Sequence, residues 1–439
     1  MKNLELINNI HLSKPILNKI LIVNYSFPPN SGVGGRRWAK FCKYLFKKNI
    51  EFEVISFIPK RKEYSNWNQD IEPFKEKVNY IKSNYPQVLS SKPSSLLDKL
   101  NYKLALIYAR IKVKGNYYDK GAHCKSELLA TIRQKINDSN SNISCIIVSV
   151  APFHLAVHVM ELIPLYPRIK FIVDFRDPWT QNRTSYGFES LSMARRKIEL
   201  YSEKKVIQSY HHVISVSEKM NEHFFKLTSD HNRFQVIPNG FDSEDYPSLK
   251  KTYSVASNKL NMIFAGSFYH NTDYLIQELK EALKQLRKSD FEIYSSFNFD
   301  FYGTKSAEIE RLVEEFEIIR SFAGDSKDEI IKKINDADAG LLFLSRDIQY
   351  SFSTKFCDYI ALKKPIVVFS EEDYTMDYVV SNNIGFGIRS GRIYEDLKDC
   401  YYVWKEGNLK FNSVYNDADF NIEKCTAKLI DIIEVKNCL

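Results

Sequence analysis

The chain has seven cysteines and no paired spacing among them. Cys42, Cys124, Cys145, Cys357, Cys400, Cys425 and Cys438 stand singly, with no C-x-x-C motif and no regular spacing, the usage expected of reduced thiols in a cytoplasmic protein. Long apolar runs are missing too. The opening MKNLELINNIHLSKP is broken by polar groups before a signal-peptide core could form. No later segment reaches the about 18 apolar residues of a membrane-spanning helix, so contact with a membrane is expected to be peripheral, at the inner face of the cytoplasmic membrane. Low-complexity sequence and repeats with a period of about 20 to 50 residues are absent. The formal charge of +8 is modest for 439 residues, and no nucleic-acid partner is inferred from it.

What is present is enough apolar material for packed interiors, 44% hydrophobic and 14% aromatic, which argues against a disordered chain. Single cores stop growing at about 250 to 300 residues, so two domains are expected. Short apolar runs alternate with helical stretches: KILIVNY, FEVISF, CIIVSV, KFIVDF, HHVISVS and FQVIPNG, then LNMIFAGSF, FNFDFYG, IIRSFAG, AGLLFLS and KPIVVFS. Such runs read as buried parallel strands, and the fold class is α/β with two Rossmann-like, doubly wound parallel sheets. The boundaries follow from the pattern: an N-terminal extension at 1–17, a first domain at 18–242, a linker at 243–259 after the Pro-Asn-Gly turn, a second domain at 260–420, and a C-terminal helix at 421–439 that could pack on either domain. Ligands of open α/β sheets bind beyond the carboxyl ends of the strands, so the chemistry is sought there.

Four strand ends stand out. In ILIVNYSFPPNSGVGGR, Gly32, Gly34 and Gly35 allow close backbone approach, and a helix over roughly Arg36 to Lys47 points its positive end at the same space, suiting an anion such as a phosphate. The spacing is neither a dinucleotide fingerprint nor a Walker loop. Of Arg36 and Arg37, one is expected to reach a cleft and the other to snorkel on the surface. FIVDFRDPWT ends a strand in Asp174, Arg176 and Asp177, which read either as a site or as a capping ion pair. VSVAPFHLAVH carries His154 and His158 one helical turn apart, with no metal-binding pattern beside them. In SRDIQYSFSTKFCDYIALKKPIVVF, a helix starting near Ser353 places Lys355 and Asp358 on one face, with Phe356, Tyr359 and Ile360 turned inward. Charge also clusters at residues 94–115, where Leu100, Leu104, Ile107 and Ile111 share one helical face and Lys99, Lys103, Arg110 and Lys114 another. That pattern reads as a surface helix or as a basic helix lying on anionic lipid, with Arg195, Arg196 and Lys197 nearby.

In this order the pieces resemble the retaining, nucleotide-sugar-dependent glycosyltransferases of family 4, which have the two-domain GT-B fold. The resemblance runs over roughly residues 18 to 430: PPNSGVGGRRWAKFCKYL is similar to the family's Gly-rich donor loop, VISVSEKM with VIPNGFD to its run into the linker, and FAGSF, FAGDSKDEIIKKINDADAGLLFL and STKFCDYIALKKPIVVF to its donor half. DFRDPW is similar to bacterial members acting on surface polysaccharides such as lipopolysaccharide or capsule. The resemblance implies a uridine or guanosine diphosphate sugar as donor substrate, no further cofactor and no metal, and a saccharide or lipid-linked saccharide as acceptor. It assigns the diphosphate to Lys355, the ribose to Asp358, phosphate contact to the backbone around Gly34, and the base to the loop from Phe322 to Lys327. Gly266, Ser353, Thr354 and Arg176 belong to the same donor surroundings.

The chain departs from the family at three points. Tyr350 stands where a glutamate is common, Asp358 replaces the usual ribose-binding glutamate, and FAGSFYHNTDY lacks a frequent Arg and Lys, so phosphate neutralisation falls on Lys355, Arg346 or Arg36. A histidine expected after the Pro152 turn is either His154 or His158, the position between them holding Ala156. Asp174 or Asp177 is expected to orient the acceptor hydroxyl or support charge developing on the sugar. Two alternatives remain: a noncatalytic transferase-like or glycan-binding protein, and a nucleotide-sugar 2-epimerase on the same fold.

Overall fold

The structure, a computed structural model, describes residues 19–30, 33–59, 65–91, 93–139, 141–181, 185–246, 258–268, 271–303, 306–345, 350–371 and 373–434. The first domain is a seven-stranded sheet built from Ile20–Asn24 (β1), Phe52–Phe57 (β2), Val78–Ile81 (β3), Cys145–Val150 (β4), Lys170–Phe175 (β5), His212–Ser215 (β6) and Phe234–Val236 (β7). The spatial order is β3-β2-β1-β4-β5-β6-β7, every described pair being parallel. The second domain repeats the plan with six strands: Leu260–Ala265 (β8), Phe297–Tyr302 (β9), Ile319–Phe322 (β10), Ala339–Phe343 (β11), Ile366–Ser370 (β12) and Gly385–Arg389 (β13), in the order β10-β9-β8-β11-β12-β13.

The residues of β1, β4, β5, β11 and β12 are buried on both faces, which is why the strands read as unbroken apolar runs. Two strands escaped the sequence reading, β3 and β13, and both lie at sheet edges. In β13 the glycines are dictated by neighbours: a Cβ on Gly385 would lie 2.0 Å from the carbonyl oxygen of Ile366. A strand written GFGIR carries too little apolar signal to be seen beforehand.

The order of each sheet reverses direction between its first strand and the strand after the crossover, β1/β4 in one domain and β8/β11 in the other. Each crevice opens at the carboxyl ends of these strands. Two segments join the domains side by side. Phe241 donates its N–H to the carbonyl of Phe420 at 2.8 Å, and Ile422 returns one to Phe241 at 2.9 Å. The helix Ile422–Glu434 then buries Ile422, Cys425, Leu429, Ile432 and Ile433 in one core with Trp38, Phe41 and Leu45 of the helix Arg36–Lys47. Lys170 closes this contact by donating to the carbonyls of Ile432 and Ile433. A second clasp is polar. Lys40, only 2% exposed, stands within 2.7 to 2.9 Å of Asp70, Asp242 and Asp245, while Lys43 and Lys327 meet the same carboxylates from either side. Burial pushes the Asp242 carboxyl up, but Lys40 and Lys43 hold it below the ordinary range.

Candidate functional site

Two chambers adjoin in the cleft. The larger, about 460 Å³, is walled by Ser26, Gly34 and Arg36 from the first strand end, Asp119 and Lys120, Pro152, Arg176 and Asp177, and by Tyr350 to Thr354 of the second domain. The smaller, about 250 Å³, lies against the second sheet and is walled by Trp67, Tyr246, Gly266, Tyr302, Gly303, Gly324, Asp325, Lys327 and Asp358. Arg36 belongs to both.

The helix Arg36–Lys47 begins where the sequence predicts. Gly35, its N-cap, is required by packing, since a Cβ there would lie 2.2 Å from the carbonyl oxygen of Ser26. Gly34 sits on the chamber wall and its carbonyl accepts from Arg176 Nη1 at 2.7 Å. Gly32 lies outside the described residues. Arg36 enters the cleft as one of the two alternatives expected, packed over the Trp67 ring at 5.2 Å, with Nη2 3.2 Å from Asp358 Oδ1. Tyr246 Oη donates to the same oxygen. Burial opposes the Arg36 charge, but the Asp358 carboxylate outweighs it and the guanidinium is held strongly protonated.

Arg37 corrects the other half of that expectation. It is buried instead of snorkelling, clamps both oxygens of Asp174 through Nε and Nη2 at 3.2 and 3.0 Å, and donates to the carbonyls of Ile237 and Pro238 at 2.8 Å. Trp38 Nε1 adds a bond of 2.7 Å to Asp174 Oδ2. Asp174 is 0% exposed, does not line either chamber, and is held in a buried ion pair with Arg37. Two and three residues on, Arg176 and Asp177 do face the larger chamber.

His154 and His158 are both buried and neither lines the chambers; their rings are 6.2 Å apart and 72° to each other. His154 Nε2 meets Glu199 Oε1 at 2.8 Å, and Glu199 also accepts from the Asn116 amide and Trp179 Nε1. Burial disfavours the imidazolium, yet Glu199 raises the His154 pKa above its ordinary value, whereas burial and the neighbouring His154 push His158 down to about 3. The residue of this group that reaches the chamber is Asp119, which accepts from the Phe153 amide at 2.7 Å and the Ala122 amide at 3.2 Å. Burial raises its pKa, with His154 pulling the other way. Sequence reasoning missed Asp119 and Glu199. The first looks like an ordinary turn aspartate in YYDKG, and the second hides in the basic stretch MARRKIELYSEKK.

In the second domain, Ser353 caps the helix Thr354–Ala361 by accepting from the Phe356 amide at 3.2 Å, and Phe356, Tyr359 and Ile360 are fully buried. Ser353 and Thr354 face the larger chamber and Asp358 the smaller. Lys355 lies across the Phe264 ring at 5.0 Å and donates to the Ser267 carbonyl at 3.0 Å; burial lowers its pKa to about 8. A Cβ on Gly266 would meet Lys355 Cε at 3.0 Å, and Gly266 has φ +111. Three neighbouring strands here end alike, FAG at Gly266, FYG at Gly303 and FAG at Gly324, and the three glycines converge: a Cβ on Gly303 would lie 3.7 Å from Gly324 Cα and 3.8 Å from Gly266 Cα. The bare backbone this leaves is a floor that a flat group can touch. The repeated aromatic-x-Gly ending was the signal that could have found it. Phe322 is 38% exposed and stacks on Tyr302 at 4.6 Å, while Gly324, Asp325 and Lys327 of its loop line the chamber. Arg346 lies outside the described residues. Tyr350 walls the larger chamber, its carbonyl accepting from Ser217 Oγ.

No protein-family model matches the chain, and no curated protein matches it in sequence. Solved structures do match along nearly its whole length. The lipopolysaccharide outer core galactosyltransferase WaaB aligns with a TM-score of 0.59 at 11% identity, covering 94% of this chain and 99% of its own. Anabaena HepE in complex with UDP-glucose aligns at 0.56 and 12%, covering 95% and 100%. A candidate UDP-N-acetylglucosamine 2-epimerase from Listeria monocytogenes aligns at 0.53 and 9%, covering 94% of each. At these identities the likeness is one of fold. The chain has the two-domain, Rossmann-like architecture of GT-B structures, and among its described residues no helix is long and apolar enough to cross a membrane.

Proposed function

We propose that the protein is a retaining glycosyltransferase that takes a sugar from a uridine or guanosine diphosphate donor and places it on a saccharide or lipid-linked saccharide in cell-surface polysaccharide synthesis. The observation that supports this best is the smaller chamber, where a bare glycine floor and the Asp358 carboxylate stand side by side, with the start of the helix Thr354–Ala361 on the wall of the adjoining larger chamber. That set suits a nucleoside diphosphate: the base on the floor beside Tyr302, ribose hydroxyls donating to Asp358, and the phosphates at the helix start beside Lys355. By their own descriptions, one of the three similar structures is a lipopolysaccharide galactosyltransferase, one holds UDP-glucose and one is a candidate UDP-N-acetylglucosamine 2-epimerase.

Reaction on this scaffold is electrostatic in character. As the bond from the anomeric carbon to the diphosphate breaks, charge grows on the phosphate, and Lys355, Arg36 and the helix amides are positioned to spread it. No metal is called for in this scheme. With Asp174 sealed beneath Arg37, the acceptor-side role falls to Asp177, joined by Asp119: orienting the attacking hydroxyl, or supporting positive charge on the sugar. Retention follows if the hydroxyl enters on the face the diphosphate leaves, the departing phosphate oxygen taking its proton.

The test is release of nucleoside diphosphate from candidate donors with and without saccharide acceptors, in the presence and absence of chelator, with the anomeric configuration of the product read by NMR. Acceptor-dependent release, insensitive to chelator and with retention, supports the reading. Release of free or epimerised sugar without acceptor assigns the 2-epimerase alternative, and binding without turnover assigns the noncatalytic one.

A further inference from the structure

The helix Leu96–Lys112 is held to the protein by one side only. Tyr102, Ala105, Leu106 and Ala109 pack into a small satellite core with Tyr85, Leu89, Tyr117, Phe188 and Leu191, and Ala109 is the helix's one buried residue. Its start is fixed by a capping box between Ser95 and Asp98, and its end by Arg195, which donates to the carbonyls of Arg110, Val113 and Gly115. The helix is therefore well anchored, yet its opposite face is apolar and open. Leu96 is 82% exposed, Leu97 75%, Leu100 55%, Leu104 58%, Ile107 54% and Ile111 77%.

At about 100° per residue, these six fall within a stripe about 100° wide on the side away from the satellite core. Lys99 and Lys103 line one border of the stripe and Lys112 the other, all exposed, while Arg110 on the first border donates to Tyr117 Oη at 3.3 Å. The only acid on the helix, Asp98, is turned to the capping box. An apolar stripe directed outward with cations along both borders is the layout of a helix lying in the plane of a bilayer, where the apolar face enters the acyl boundary and the cations meet lipid phosphates. A second copy of the chain would bring the same cations against themselves.

We propose that this helix docks the protein on an anionic membrane surface. The chain runs from the helix end at Lys112 directly to Tyr118, Asp119 and Lys120 on the wall of the larger chamber, so docking would bring that chamber within a few residues of the lipid headgroups. Arg195 and Arg196, which the sequence associates with the same surface, are engaged with backbone carbonyls and do not take part; Lys197 remains exposed. The docking does not depend on the proposed reaction, since vesicle binding can be read without turnover.

The experiment is flotation of the full chain with phosphatidylcholine vesicles, with and without phosphatidylglycerol, alongside sedimentation of the protein alone. Flotation is expected with the anionic vesicles only, weakening as salt is raised. Lys99→Gln with Lys103→Gln lowers partitioning about 30-fold, taking roughly 1 kcal/mol for each charge near such a surface. Ile107→Ser with Ile111→Ser abolishes it at an unchanged melting temperature, while Lys288→Gln on the second domain has no effect. Flotation equal on neutral and anionic vesicles, insensitivity to both double variants, or a stable dimer abolished by the Ile107/Ile111 pair would each overturn the proposal.

Discussion

The guanidinium of Arg36 and the carboxylate of Asp358 meet at 3.2 Å across the cleft, one from each domain. Their contact stands where the two chambers adjoin, and a nucleoside diphosphate sugar spanning both must part them. In the account above, Arg36 passes to the diphosphate and Asp358 to the ribose. Charge-assisted hydrogen bonds contribute about 1.5 to 3 kcal/mol each. Asp358→Asn is thus expected to weaken binding of the matching nucleoside diphosphate about 10- to 100-fold, and its 2′-deoxy analogue to lose about as much on the wild type but little more on the variant. Calorimetric titration of the four combinations checks this; losses that add in full would show that Asp358 does not touch the ribose.

With Lys355 on the phosphates as proposed, binding acquires a pH dependence. Burial has lowered the Lys355 pKa to about 8, so in the free protein the ammonium is lost as pH rises through that value, while a bound phosphate favours the charged form. Affinity for nucleoside diphosphate should fall between about pH 7.5 and 9, and Lys355→Met should bind weakly at every pH in that range with no such slope. A wild-type affinity constant across the range would remove Lys355 from the phosphate site.

Asp174 and Asp177, three residues apart, should separate cleanly. Removing the carboxylate in Asp174→Ala leaves Arg37 buried and charged, since a guanidinium does not deprotonate; a loss of about 3 to 5 kcal/mol of stability is expected from breaking such a pair. Asp177→Asn should cost far less stability than Asp174→Ala and reduce turnover by about 10²-fold or more. Denaturant unfolding and initial rates on both variants make the comparison, and normal turnover by Asp177→Asn would end its assignment.

Glu199 tests the network behind the chamber. Because His154 can shed its proton where Arg37 cannot, Glu199→Gln should cost less, about 1 to 3 kcal/mol. The His154 pKa is raised, so its share of stability is complete below the ordinary 6.5 and lost as pH climbs through the raised value; the Glu199 pKa is lowered, so its share is complete above the ordinary 4.5 and lost on acidification. The melting-temperature gap between wild type and Glu199→Gln is therefore expected to be widest between about pH 4.5 and 6.5. A gap independent of pH would mean that the pair is not charged.

Much of this was legible in the sequence because the signals are local. Buried parallel strands announce themselves as apolar runs, a helix from Arg36 to Lys47 follows from its glycines and apolar spacing, and Ser353 is a recognisable cap for a helix that turns Phe356, Tyr359 and Ile360 inward. The partners were not legible. Arg36 finds Asp358 across 322 positions and Arg37 finds Asp174 across 137, and no periodicity within either segment carries that information. The arginines are adjacent, and only the packing of a helix end between two sheets decides that one meets Asp358 across the cleft and the other the buried carboxylate of Asp174. Edge strands β3 and β13 were missed for the opposite reason, having too few apolar residues to register.

The most direct test is a thermal-shift screen of the purified protein against uridine, guanosine, adenosine and cytidine diphosphates and their sugar conjugates, with Lys355→Ala and Asp358→Ala alongside. A ligand that binds the native state alone raises its melting temperature. A shift is expected with the uridine or guanosine class, lost in both variants. No shift with any of these nucleotides, or one that survives both substitutions, would contradict the proposed donor site.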